Sequence, residues 1–290
     1  MRTGLEVFLE DAASYRGMRL GVCCNHTAVT RALDHIIPAM QDQGLDIVRL
    51  FGPEHGLDAT AQDMITIGDE TNRRAIEAVS LYGTDEASLH PPPETLEDLD
   101  ALIFDIQDIG SRYYTYQATL GYLMAVAAKV DTRIIVLDRP NPIDGVTVEG
   151  NVVQPGFESF VSAYPLAVRH GMTMAELGLF FKKHVGIDCP LTLIPCQGWA
   201  RQQWLDETDL PWVFPSPNMP TLEAAAIYPG LCLIEGTNLS EGRGTTRPFH
   251  HVGAPWLNAE QMRRLCQKGA QDAHLHGVTF RAATFEPRFQ

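Results

Sequence analysis

Residues 235–249 read EGTNLSEGRGTTRPF and put two carboxylates, Glu235 and Glu241, the guanidinium of Arg243 and the amide of Asn238 on one glycine-rich stretch. Glycines let backbone N–H groups come close to a ligand. Glu, Asn, Ser, Thr and Arg are the side chains that hydrogen-bond a polyhydroxylated or anionic one. Taken alone, the stretch is equally well read as a Gly-rich surface turn. Its weight comes from other loops of similar character that follow apolar runs.

Four such loops lie in the first half. The run ending at Cys24 leads into Asn25, His26 and Thr27, and RLF leads into GPEHG, with Glu54 and His55. ALIFD leads into IQDIGSRYYTY, bringing Asp105, Gln107, Asp108, Arg112, Tyr113, Tyr114 and Tyr116. RIIVLD leads into RPNP, with Asp138, Arg139 and Asn141. Open α/β sheets bind ligands at the carboxyl ends of their strands. If these runs are parallel strands, all four loops converge on one edge and define a ligand site.

The elements that must position these residues follow from the hydrophobic pattern. Residues 18–24, 46–51, 101–106 and 133–138 are near-continuous apolar runs, with helices predicted over 31–43 and 116–129. Runs of this kind separated by helices indicate a mostly parallel sheet covered on both faces. The expected fold class is α/β, with a Rossmann-like domain over residues 1–145. Proline and glycine become more frequent after Pro140, and residues 146–290 read as a smaller α+β domain left incomplete by the chain. In it, strands are predicted at 162–168 and 191–195, helices at 173–184, 221–227 and 258–273, and a further βα section from VTFRAATF onward.

Composition excludes several classes. A net charge of −14 over 290 residues is the opposite of a nucleic-acid footprint. No apolar stretch reaches the roughly 18 residues that span a bilayer, so no membrane partner is expected. The N-terminus is acidic and amphipathic rather than a signal peptide, and the six cysteines show no CxxC pairing, which suits a cytoplasmic chain. GxGxxG and GxxxxGK[ST] are absent, which argues against a nucleotide cofactor. His26, His55, His170, His250 and His251 lie in or near the loops without HExxH or other ligand spacing, so no metal is expected.

GPEHG, FDIQDIGSRYYTY, VLDRPNP, PSPNMPT, EGTNLSEGRGTT and GAPW, in that order between residues 20 and 256, resemble the NamZ-type exo-β-N-acetylmuramidases. Members of that family run longer than this chain. The resemblance implies a Rossmann-like domain with a second domain, and hydrolysis of terminal N-acetylmuramic acid from peptidoglycan fragments.

Glycosidic cleavage uses one protonated carboxyl to assist the leaving oxygen and a second group that attacks or activates water. Glu54 is the expected acid, because partial burial at a strand's end raises a carboxyl pKa. Glu235 is the expected second carboxylate, with Glu241 its close competitor. The lactyl carboxylate that the resemblance implies favours an arginine, and Arg243 is the first choice. Asn25, His55, Asp105, Asp108, Arg112, Tyr114, Asn141, Asn238 and Glu241 are the further substrate-binding candidates. The competing reading is a sugar- or muropeptide-binding protein without catalysis.

Overall fold

The computed structural model describes residues 1–58, 76–83 and 86–288. The chain divides into two compact units, Met1–Ala225 and Ala226–Gln290.

The first unit is built on a six-stranded parallel sheet in the order β3-β2-β1-β4-β5-β8, where β1 is Arg19–Cys24, β2 Asp46–Gly52, β3 Glu77–Ser80, β4 Ala101–Asp105, β5 Arg133–Leu137 and β8 Leu191–Ile194. The central strands β1, β4 and β5 are buried on both faces, whereas β3 and β8 at the edges are only partly buried. That is why the central strands read as unbroken apolar runs. Strand side chains alternate between faces. Ile135 and Leu137 of β5 pack with Leu5 and Phe8 of helix α1 (Gly4–Glu10) and with Ile36 and Met40 of α2 (Ile36–Asp42). Val136 points the other way, towards Gly178 of α4 (Met174–Phe180) and Leu120 of α3 (Tyr116–Val130).

α1 is stapled by a capping box in which Thr3 and Glu6 satisfy each other's backbone N–H groups. Its first residue must be glycine. A Cβ there would come within 2.2 Å of the Asp138 nitrogen and 2.6 Å of the Ile194 oxygen. An antiparallel pair, β6 (Glu149–Val152) and β7 (Ala167–Arg169), forms a separate small sheet.

Several expectations change. The helix predicted over 31–43 begins only at Ile36. Leu33 adopts φ 70°, and His35 caps the helix by accepting the Ile37 N–H at 3.3 Å. The strand predicted at 162–168 is a 3-10 turn at Phe160–Ser162 followed by the short β7, because Pro165 brings no N–H to a ladder. The strand at 191–194 is β8 of the main sheet, so residues 146–225 belong to the first unit and 226–290 form the second. α5 (Leu222–Leu231) spans that division.

The second unit is dominated by α6 (Ala259–Asp272), whose N-cap Asn258 accepts the Gln261 N–H at 2.9 Å. VTFRAATF forms no regular element. The Gly-rich loop is closed by a Ser240–Gly253 bridge and by the Arg288 N–H donating to the Arg243 carbonyl at 2.9 Å.

At the carboxyl edge of the sheet Arg139 forms a two-pronged ion pair with Asp105, at 2.5 and 3.0 Å, and also donates to the Val29 carbonyl at 2.9 Å. Both residues are buried. Removing one partner of such a pair typically costs about 3–5 kcal/mol, because a buried charge is left uncompensated. Arg139→Met should lower the unfolding free energy by about that much in urea titration. Pairing it with Asp105→Leu should recover part of the loss.

Candidate active site

The strand order reverses between β1 and β4, and their carboxyl ends open the crevice where doubly wound sheets hold ligands. The loops after β1 and β4 meet there through a network around Tyr116, and the loop after β2 is tied in by Thr115 and Glu54. The Asn25 side-chain amide donates to the Tyr116 hydroxyl at 2.9 Å, and that hydroxyl donates to the Pro215 carbonyl at 2.7 Å. Asn25 Oδ1 in turn accepts from the Thr27 N–H at 2.9 Å and its hydroxyl at 2.6 Å. Thr27 Oγ1 accepts the Gln107 N–H at 3.0 Å, which joins the first loop to the third. Burial, reinforced by the Glu54 carboxylate, pushes the Tyr116 phenol far above its ordinary pKa, so it stays a neutral donor.

Glu54 is only 5% exposed. Its Oε2 accepts a 2.5 Å hydrogen bond from Thr115. His55 beside it adopts φ 70°, a turn conformation that aims the loop back over the sheet.

Asp108 is buried as well. One oxygen, Oδ2, accepts the Gly110 N–H at 2.8 Å and faces His170 Nε2 at 3.5 Å; the other, Oδ1, has no hydrogen-bond partner among the described residues. His170 Nδ1 accepts the Met172 N–H at 3.1 Å. The proton of a neutral imidazole therefore sits on Nε2, towards Asp108. Glycine is required at 110, where φ is +82° and a Cβ would fall 2.4 Å from the Asn141 side chain.

Other expected ligand contacts are committed to the protein itself. Asp105 is held by Arg139, as described above. Arg112 donates to the carbonyls of Asn151 and Leu166, both at 2.6 Å, and to Ser162 at 3.1 Å, and it lies over the Tyr113 ring. It ties the third loop to the segment around β6 and β7. Asn141 accepts the Ile143 N–H at 3.1 Å and donates to the Met172 carbonyl at 3.0 Å. Tyr114 is buried edge-on against Tyr116, with ring centroids 5.1 Å apart.

In the second unit Arg243 bonds Glu241 at 2.8 Å and also pairs with Glu235. Glu241 is buried, while Glu235 and Asn238 are exposed. Sequence reasoning did not single out Thr115, the direct partner of Glu54. The only signal was a hydroxyl residue between two tyrosines in YYTY.

A Rossmann-like α/β unit with carboxylates gathered at its switch point is the class that fold and site define. Two family models cover almost the whole chain: Exo-beta-N-acetylmuramidase NamZ, N-terminal, over residues 20–223, and the corresponding C-terminal model over residues 226–290. The peptidoglycan beta-N-acetylmuramidase NamZ of Bacillus subtilis is 41% identical across 100% of this chain and 69% of its own length. A crystal structure of a DUF1343 family protein from Bacteroides fragilis superposes with TM-score 0.86 and 35% identity, covering 99% of this chain and 73% of that one. A second DUF1343 protein from the same organism gives 0.74 and 32%, covering 89% and 68%. The chain belongs to the NamZ family.

Asp138, just past β5, shows what the carboxyl edge does to an acid. Burial raises its pKa to about 6, although the Ala175 N–H at 2.9 Å and the Thr173 hydroxyl at 3.1 Å both donate to it. A raised folded-state pKa gives stability that is complete below the unfolded value near 4 and lost as pH rises through about 6. Asp138→Asn does not titrate. Its unfolding free energy should therefore gain on the parent's by about 2–3 kcal/mol between pH 4 and pH 7, as measured by denaturant titration at both pH values.

Proposed function

We propose that this protein is a glycoside hydrolase that removes terminal N-acetylmuramic acid from peptidoglycan fragments, with Glu54 as the general acid. The observation that carries the reading is the 41% identity to the Bacillus subtilis enzyme across the whole chain. The surroundings of Glu54 agree with it. The carboxyl is withdrawn from solvent at the carboxyl edge of the sheet, with 5% of the residue exposed. The Thr115 hydroxyl donates to Oε2 and helps fix the orientation of the carboxyl.

For the second carboxylate the local geometry supports Asp108 over the expected Glu235. Asp108 is anchored through Oδ2 and keeps Oδ1 without a hydrogen-bond partner among the described residues, whereas Glu235 is paired with Arg243. The pairing also weakens the expectation that Arg243 receives a lactyl carboxylate. Among the described residues no helix is long and apolar enough to cross a membrane. The cysteines are all free, as a reducing compartment would keep them, and a cytoplasmic place of work is part of the proposal.

Incubation with a chromogenic N-acetylmuramic acid β-glycoside, with the N-acetylglucosamine glycoside as control, is the primary test. Release from the muramic substrate is expected, and none from either would remove the enzymatic reading. Glu54→Gln should lose about 10²–10⁴-fold in turnover on saccharide leaving groups, and less on nitrophenolate, which departs without a proton. Equal losses on both would take the acid role from Glu54. Asp108→Asn should lose at least about 10²-fold whatever the leaving group, with Glu235→Gln much milder. The reverse order would return the role to Glu235.

A further inference from the structure

The tyrosines of the third loop are committed to the protein: Tyr114 and Tyr116 are buried, and Tyr113 lies under the Arg112 guanidinium. The same edge of the sheet presents a different ring. Phe214 is 48% exposed, although its surroundings are fixed. Pro215 follows it and restricts its backbone to extended conformations. The Pro215 carbonyl is the acceptor of the Tyr116 hydroxyl, at 2.7 Å. Ser216, Asn218 and Met219 beyond it are buried, and Trp212 before it donates its indole N–H to the Met219 carbonyl at 3.3 Å. The Phe214 ring lies against His26 with centroids 5.3 Å apart, so it sits beside the β1 loop.

A mobile exposed phenylalanine is an ordinary surface feature. Phe214 differs because the hydroxyl that holds its segment belongs to Tyr116, whose phenol feels the Glu54 carboxylate. Its neighbours Trp212 and Val213 line a small cavity at the switch point, together with Thr27, Gln107 and Arg139. A half-exposed ring on a chain segment anchored beside the β1 loop and next to that cavity offers what a pyranose needs. The C–H face of the sugar can lie on the ring while its hydroxyls reach the polar groups.

We propose that Phe214 is the aromatic platform on which the terminal sugar ring stacks, a specificity-determining contact that rests on the glycosidase reading above. A stacking contact is made equally in the bound substrate and in the transition state. Its loss therefore appears in KM and not in kcat.

The test is steady-state kinetics of the full chain on the chromogenic N-acetylmuramic acid β-glycoside, with Phe214→Ala, Phe214→Tyr and Phe214→Trp beside the parent. Phe214→Ala should raise KM roughly tenfold and leave kcat within about threefold. Tyr and Trp, which keep a ring, should restore KM to within a few-fold of the parent, and the tryptophan's fluorescence should shift when free N-acetylmuramic acid is added. Thermal unfolding of the Ala variant should match the parent, since a half-exposed ring adds little to the core.

An unchanged KM in Phe214→Ala would overturn the inference, and so would equal losses in all three variants. A changed oligomeric state of Phe214→Ala at unchanged KM would also overturn it, by assigning the ring to a protein contact. A parent inactive on the muramic glycoside would count against the glycosidase reading itself. An active parent with an indifferent Ala variant would count only against the platform.

Discussion

Arg139 and Asp105 hold the carboxyl edge of the sheet together. Asp105 ends β4 and Arg139 follows β5, and the guanidinium also takes the Val29 carbonyl from the loop after β1. Three neighbouring strands thus have their ends fixed by one buried charge pair. A pair of this kind adds little net stability compared with apolar residues of the same volume. What it does is make any other arrangement of the loops costly, since each would strand a charge away from water. The crevice at the switch point inherits its shape from that constraint.

Around the pair, neutral hydrogen bonds extend the same logic. Asn25, Thr27, Gln107, Tyr116 and Pro215 come from separate stretches of chain and form one connected set of contacts. Each buried polar group answers another, as interiors demand. Asp108 and Phe214 sit on the segments this set connects, and Glu54 is joined to them through Thr115. Oδ1 of Asp108 stands apart from this set, a buried acceptor without a hydrogen-bond partner among the described residues.

Much of this was legible in the sequence, for a physical reason. β1, β4 and β5 are buried on both faces, so their apolar runs are unbroken and could hardly be anything else. The loop after each strand is then fixed in place by topology, which is how GPEHG and IQDIGSRYYTY pointed to Glu54 and Asp108. Local conformation was harder to read. The left-handed turn at Leu33 and the proline at 165 cut short a helix and a strand that hydrophobicity favoured. The unit boundary was misjudged because LTLI at 191–194 returns to the sheet after a long excursion, and nothing in its composition announces the neighbour it pairs with. Arginine roles were equally hidden. Arg112 has the residue type a ligand would require, and only its distances to backbone carbonyls show that it serves the scaffold.

The triad of Glu235, Arg243 and Glu241 has a further consequence. Two acids share one base, so the triad itself carries a net negative charge with its guanidinium in the middle. An anion approaching Arg243 meets a cation already occupied by two carboxylates. To bind there it would have to displace a carboxylate, which is ion exchange rather than simple capture. Such a loop discriminates by competition: a bidentate anion strong enough to outbid an intramolecular glutamate gains entry, and a weaker one is repelled. A ligand hydroxyl faces no such contest, because it can donate to the glutamates without disturbing the arginine between them.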